Sequence, residues 1–224
     1  FNSSIFAYMP RNFSGEYSIP EGIKRIANAA FYGCVGLTKI QISSRVTYIG
    51  SEAFSGCTGL TSITIPSSVK SIGYRAFYSS GLWDVTMQGD PYIDETAFDA
   101  VLLYKYNVAY KYVGTMPANT SIIIKEGTTK IAKDVFKGCT GLISIMLPSS
   151  ISEIDTSAFE GCSKLTKINI PSSITTIGLS AFSGCTNLSY VEINSNNIVS
   201  QNRPSTSSLK SVFGEQVSEY VLGE

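Results

Sequence analysis

The residues that could carry catalysis form no recognisable constellation in this chain. Its 224 residues include no histidine, which excludes Ser-His-Asp and Cys-His nucleophilic centres. The carboxylates of Asp94, Glu95 and Asp99 lie close together in sequence and could in principle act as general acid and base. Neighbouring loop carboxylates are usually solvated charges, and we interpret these three in that way. No glycine-rich phosphate loop is present, so we predict no catalytic site, no cofactor and no enzymatic activity.

The cysteines share one local sequence, Gly-Cys-x-x-Leu, and recur with a period of 23 residues within two groups. Such spacing places them in separate structural repeats, without the paired ligands of a zinc site. Buried cysteine packs as a small hydrophobic residue. We therefore predict reduced, inert core thiols and no bound metal. The five residues are Cys34, Cys57, Cys139, Cys162 and Cys185.

Phenylalanines keep the same period and reveal the elements that organise the chain. Ala-Phe pairs place Phe31, Phe54 and Phe77 at intervals of 23 residues, and a second series follows at 136, 159 and 182. A period between 20 and 29 residues with Leu-x-x-Ile-x-Ile in each unit is typical of a leucine-rich solenoid. The sequence thus predicts a β-rich solenoid in which parallel strands form a ladder and short turns connect them.

One repeat shows how each coil is built. Leu60, Ile63 and Ile65 turn inward while the residues between them alternate outward, as a short strand requires. Pro66 ends the strand because it has no N–H to donate to a ladder. A single coil cannot bury its apolar side alone, so neighbouring coils must stack and pair their equivalent strands.

These repeats resemble the BspA-type leucine-rich repeat family over about residues 19–98 and 121–193. The resemblance rests on the segments IPSSVKSIGYRAF, LPSSISEIDTSAFEGCSKLTKINIP and IPSSITTIGLSAFSGCTNL. It implies a cell-surface or extracellular protein that binds other proteins, in some members host matrix proteins, and that has no enzymatic activity.

Hairpins are expected to flank and interrupt the coils. Residues 1–20 read as an N-terminal hairpin, 99–120 as a hairpin insertion, and 194–224 as a loop followed by the start of a third, truncated hairpin. The strands of that third hairpin are expected over residues 209–213 and 217–222. The coils fill residues 21–98 and 121–193. We expect the natural protein to continue beyond this sequence.

Charge and hydropathy narrow the range of partners. The 17 basic and 17 acidic residues balance, and no basic block could neutralise nucleic-acid phosphates. No apolar run approaches the about 20 residues of a membrane helix. We expect neither a nucleic-acid partner nor a membrane span.

The outward positions of the stacked strands form the candidate partner-binding surface. They are expected to give a wide, concave face of mixed polarity that suits a protein or glycan. Alternatively, serine and threonine stand there only for strand propensity and solubility. One row contains Lys39, Ser62, Asp84, Ser144, Lys167 and Tyr190, and the next contains Gln41, Thr64, Thr86, Met146, Asn169 and Glu192.

Two groups of aromatic residues depart from the repeat. Trp83, the only tryptophan, replaces the usual Thr or Ser. It is either a binding residue or a residue that fills the gap left by a shortened coil, and we favour packing. The hairpin tyrosines are either a contact surface or cross-strand pairs that hold the hairpin together. They are Tyr104, Tyr106, Tyr110 and Tyr112.

The sequence therefore predicts a non-enzymatic interaction module, adhering to a protein partner through the concave face. A carbohydrate-binding surface component and a passive spacer are the alternatives.

Overall fold

The computed structural model describes residues 4–194, 212–214, 216–217 and 219–222, and it shows a solenoid of parallel β-coils. The described part of the chain is almost entirely strand and turn, with helix only at Val212 and Phe213. Two compact units are present. Unit 1 comprises residues 1–106 and 113–115, and unit 2 comprises residues 107–112 and 116–224.

Unit 1 contains two kinds of parallel ladder. The first joins two-residue strands, β1 (Ile5–Phe6), β3 (Arg25–Ile26), β5 (Tyr48–Ile49), β7 (Ser71–Ile72) and β9 (Tyr92–Ile93). The second uses the longer strands, β2 (Ser14–Ser18), β4 (Gly36–Gln41), β6 (Ser62–Ile65), β8 (Asp84–Met87) and β10 (Ala100–Lys105). Here β2 pairs with β4, while β8 pairs on one side with β6 and on the other with β10.

Unit 2 repeats this arrangement. The short-strand ladder joins β11 (Val108–Gly114), β13 (Lys130–Ile131), β15 (Glu153–Ile154) and β17 (Thr176–Ile177). The long-strand ladder joins β12 (Thr120–Ile123), β14 (Leu142–Met146), β16 (Lys167–Ile170), β18 (Tyr190–Ile193) and β19 (Glu219–Leu222). Each coil thus contributes one strand to each ladder, and the predicted parallel ladder is confirmed.

The N-terminal hairpin expected over residues 1–20 does not form. β1 pairs in parallel with β3, and β2 pairs in parallel with β4. Both strands therefore join the ladders of the next coil instead of each other. Alternating short strands around a turn fit a hairpin and a solenoid coil equally well, which explains the wrong prediction.

The segment predicted as a hairpin insertion also joins the ladders. Tyr106 and Asn107 form a two-residue turn between β10 and β11 in which φ is 48° and 61°, the positive values of a type I′ hairpin turn. β10 pairs with β8 in unit 1, and β11 pairs with β13 in unit 2. The end of the predicted segment, Thr120, already belongs to β12.

The third hairpin falls partly outside the described residues, which begin again at 212. Val212 and Phe213 are helical, not extended as expected. The strand expected over residues 217–222 is present as β19, but it pairs in parallel with β18.

A column of stacked phenylalanines runs through the core of each unit. In unit 2, the Phe159 ring lies 5.2 Å from the rings of Phe136 and Phe182, with interplanar angles of 11° and 9°. In unit 1, the Phe54 and Phe77 rings lie 5.1 Å apart. These distances match the spacing of about 4.8 Å between adjacent strands, because one ring enters the column from each coil.

The cysteines lie in the core as free thiols, as predicted, although Cys139 is only half-buried. The Cys57 thiol donates to the Phe31 carbonyl oxygen at 3.0 Å. Burial raises the pKa of Cys57 to about 12 and that of Cys139 to about 11. High pKa values keep these thiols protonated and unreactive at neutral pH.

Candidate functional site

The structure gathers six of the predicted partner-binding residues around one groove in unit 2. The groove encloses about 770 Å³ and lies across the outward side of β14, β16 and β18. Strand alternation explains its position, because the inward residues of the same strands fill the core. The predicted residues in its lining are Ser144, Met146, Lys167, Asn169, Tyr190 and Glu192.

Strand register places these side chains in two rows. Lys167 is paired with Tyr190, and Asn169 is paired with Glu192. Between them, Ile168 is buried and anchors β16 to the core. The groove therefore presents a regular grid of side chains on a backbone fixed by hydrogen bonds.

A hydrogen-bonded polar cluster occupies one end of the groove. The Asn194 side-chain amide donates to Asn169 Oδ1 at 3.1 Å and to Glu192 Oε1 at 3.4 Å. Shared donation from a single amide orients both acceptors. This end can receive a cation or hydrogen-bond donors from a partner.

The opposite end of the groove is apolar and adjoins a further exposed apolar side chain. Met146 lines this end and is 64% exposed, and Ile123, its partner in register on β12 next to the groove, is 75% exposed. Isolated exposed apolar residues are common, but two that adjoin in one row form a small apolar patch. Beside them, Ser144 donates a hydrogen bond to Ser121 at 2.8 Å.

Sequence reasoning missed the groove residues that lie beyond the strand ends. Leu147, Pro171 and Asn194 directly follow β14, β16 and β18. Ser149 and Ser172 belong to the Pro-Ser-Ser turns after two of these strands. The recurrent turn sequence was the available signal, because a turn that follows each stacked strand must border the same face.

The predicted rows of unit 1 are less continuous. Ser62 pairs with Asp84 and Thr64 pairs with Thr86 along β6 and β8. Lys39 and Gln41, which were predicted to continue these rows, lie on β4, and β4 pairs with β2.

On that separate pair of strands, both side chains have neighbours on β2. The Lys39 ammonium lies 3.4 Å from the Glu16 carboxylate. Gln41 Oε1 accepts a hydrogen bond from Ser18 at 3.3 Å. These two candidates are thus part of cross-strand pairs.

Trp83 lies on the outward side of unit 1 and is 67% exposed. Its backbone N–H donates to the Thr61 carbonyl oxygen at 3.1 Å, so the main chain follows the ladder while the indole stands in solvent. The favoured interpretation, that Trp83 fills a gap in the packing, is therefore wrong.

The hairpin tyrosines do not form one exposed cluster. Tyr104 is buried and Tyr110 is half-buried. The Tyr112 ring packs 6.0 Å from the Phe136 ring, and burial raises its pKa to about 12. Only Tyr106, which is 74% exposed, presents most of its ring to solvent.

The candidate acidic residues serve the turns of unit 1. Asp94 accepts hydrogen bonds from the Thr96 side chain and backbone, at 2.6 and 2.9 Å, which hold its pKa below the usual range. Asp99 accepts a hydrogen bond from the Ser79 N–H at 2.6 Å. Through these hydrogen bonds, Asp94 and Asp99 stabilise the turns in which they lie.

The described residues contain no cluster of three or more potential metal ligands. The same part of the chain contains no helix long and apolar enough to span a membrane.

Comparison with protein families gives one extensive match. The model of the BspA type leucine rich repeat region matches residues 2–116 and 109–219, with six copies of the repeat. Among curated protein sequences, no relative matches the chain.

Several crystal structures are similar to this chain. A leucine rich cell surface protein from Faecalibacterium prausnitzii is 31% identical, with a TM-score of 0.36, over 81% of this chain and 48% of that protein. A leucine-rich repeat protein from Eubacterium ventriosum is 18% identical, with a TM-score of 0.45, over 99% and 74% of the two chains. The pneumococcal vaccine antigen PcpA is 21% identical, with a TM-score of 0.38, over 84% and 52%. The chain thus spans less than half of the Faecalibacterium protein.

Proposed function

We infer the function of this chain from the fact that it belongs to the BspA-type leucine-rich repeat family. We propose that it is a non-enzymatic interaction module that binds a protein partner through the groove of unit 2. The family is built as a repeat scaffold, and function on such a scaffold resides in its exposed surface.

The single observation that carries this proposal is the groove itself. It combines the exposed apolar side chain of Met146, the cation of Lys167 and the oriented carboxylate of Glu192 on one rigid sheet. Protein interfaces likewise combine apolar side chains with polar and charged ones. Because the strands fix the backbone, binding would require little ordering of the groove.

We place the module at a cell surface or outside the cell. The Faecalibacterium relative is described as a cell surface protein and is 31% identical to this chain. Adhesion, including adhesion to a host matrix protein, is the finer form of the proposal. It would use the groove of unit 2 as the contact surface.

The test is binding of the full chain to an immobilised panel of matrix proteins and glycans. The groove variant carries Met146→Ala, Lys167→Ala and Glu192→Ala together. Loss of these apolar and charged contacts across the groove should weaken binding of a protein partner at least about fivefold, since a hot-spot residue contributes more than about 1 kcal/mol. All three side chains point outward or line the groove, so folding should be preserved.

The matched control changes three outward residues of unit 1, with Lys39→Ala, Ser62→Ala and Thr64→Ala. The proposal expects the control to bind as the unchanged chain does. Equal loss in both variants would place the contact elsewhere. Absence of binding to every panel member would favour a passive spacer.

Carbohydrate binding is the second candidate, and the exposure of Trp83 favours it. An exposed indole offers a flat apolar surface on which a sugar ring can stack. Trp83→Ala should abolish glycan binding in the same panel while leaving protein binding unchanged. Glycan binding that survives this substitution would contradict the role of Trp83, and absence of glycan binding by the unchanged chain would remove the second candidate.

A further inference from the structure

We propose that the partner of the unit 2 groove presents an amphipathic α-helix that lies across the strands. This inference rests on the proposed function of the groove. It adds the conformation and the residue pattern of the partner.

The row that contains the groove residues Met146, Asn169 and Glu192 continues beyond the groove to Ile123 and changes in character across the ladder. Ile123 and Met146 are exposed and apolar, Asn169 is an amide, and Glu192 is acidic. These four residues stand on the four successive strands β12, β14, β16 and β18. A complementary partner therefore needs two apolar residues, one polar residue and one basic residue, in that order.

The distance between strands selects a helix over an extended segment. Four adjacent strands about 4.8 Å apart span about 14 Å from the first to the fourth. A helix places residues i, i+4, i+7 and i+11 on one face over about 16.5 Å, a mismatch of about 2 Å. An extended chain places same-face residues about 6.7 Å apart, so four of them span about 20 Å and miss the row by about 6 Å.

The polar cluster favours a basic residue of the partner at the β18 end of the groove. Asn194 donates to Asn169 and Glu192 and so holds the carboxylate in place before a partner arrives. Lys167 stands in the neighbouring row and would repel a cation placed over β16. The two charges together favour a basic residue only at the β18 end, which gives the helix a direction.

Stapled peptides test the proposal directly. The probe is a fluorescent, hydrocarbon-stapled helix of about four turns with Leu at i and i+4, Gln at i+7 and Arg at i+11. We expect saturable binding to the full chain in fluorescence anisotropy. A stapled peptide of equal composition, with the four residues moved to different faces, is the composition control. An unstapled peptide with a central Pro tests an extended partner.

A charge exchange tests the direction. Replacing the Arg of the probe by Glu should weaken binding about three- to tenfold, because two carboxylates would then meet at the β18 end. Glu192→Lys should reverse this order and favour the Glu probe. Thr64→Lys, at the equivalent strand position of unit 1, should leave the order unchanged.

The outcomes separate this inference from the proposed function. Absence of saturable binding, or equal binding of the rearranged or Pro-containing peptide, overturns the helical partner. The helical partner is also overturned if the Glu192→Lys variant still binds the Arg probe more tightly than the Glu probe. If a panel protein still loses binding to the groove variant in any of these cases, the proposed function stands and only the helical partner fails. If groove substitutions affect no ligand, both fail.

Discussion

Truncating one ring of the phenylalanine column provides the sharpest test of how the coils hold together. Phe159 is fully buried and lies between Phe136 and Phe182. Phe159→Ala removes this apolar side chain and leaves a cavity bounded by two rigid coils. Such substitutions cost about 3 to 5 kcal/mol of unfolding free energy.

A second substitution separates ring stacking from hydrophobic burial. Phe159→Leu retains most of the apolar volume but removes both ring contacts. Aromatic pairs contribute about 0.5 to 1.5 kcal/mol each beyond their burial, so the two contacts should cost about 1 to 3 kcal/mol. Leu179→Ala, where Leu179 is 77% exposed, should remain within about 0.5 kcal/mol of the unchanged chain.

Urea denaturation followed by far-ultraviolet circular dichroism measures all three variants. The midpoint should fall most for Phe159→Ala, less for Phe159→Leu and hardly at all for Leu179→Ala. A cost below about 1 kcal/mol for Phe159→Ala would refute the role of the column in stability. Equal costs for Ala and Leu would assign the stability to the rings alone.

Three further perturbations test the backbone, the thiols and an ion pair. Gly114 has a φ of +81°, and an added Cβ would overlap a backbone carbonyl oxygen, whereas Gly127 has a φ of +83° and open space. Thermal melting should therefore show Gly114→Ala as more destabilising than Gly127→Ala, which bears only the conformational cost of about 1 kcal/mol. Because burial raises the pKa of Cys57 to about 12, iodoacetamide at pH 8 should alkylate it only after denaturation, as measured by peptide mass spectrometry. Burial alone would raise the pKa of Asp155, but the hydrogen bond and charge of Lys130, 2.8 Å away, together with hydrogen bonds from Thr156, outweigh burial and leave the pKa below its usual value. Lys130→Met should thus cost about 0.5 to 1 kcal/mol at neutral pH, a difference that is complete above the ordinary Asp pKa of about 3.9 and disappears in urea titrations as the pH falls through the lowered value.

The repeat could be predicted because its signal is carried by large buried residues. Phe31, Phe54 and Phe77 recur at one interval, and each occupies the equivalent core position of its coil. Period and strand alternation together predict stacked parallel strands. The second ladder was not predicted, since strands of two residues such as Ser71–Ile72 contain no alternation to detect.

Turn geometry also escaped prediction. Ala29, Glu52 and Arg75 occupy equivalent turn positions with φ of 56°, 55° and 49°. Residues with a Cβ rarely adopt this left-handed backbone, so the residue types at these positions do not predict a positive φ. The stacked coils impose this backbone on residues of quite different chemistry, which indicates that the ladder, and not local preference, determines the turn.

The same reasoning explains which part of the groove the sequence could reveal. Lys167 and Glu192 were found because strand alternation points them outward. Asn194 was not, because it lies after the end of β18, where alternation no longer applies. Yet Asn194 orients both Asn169 and Glu192. The ladder therefore sets the spacing of the groove residues, while the turns that follow its strands complete the polar end.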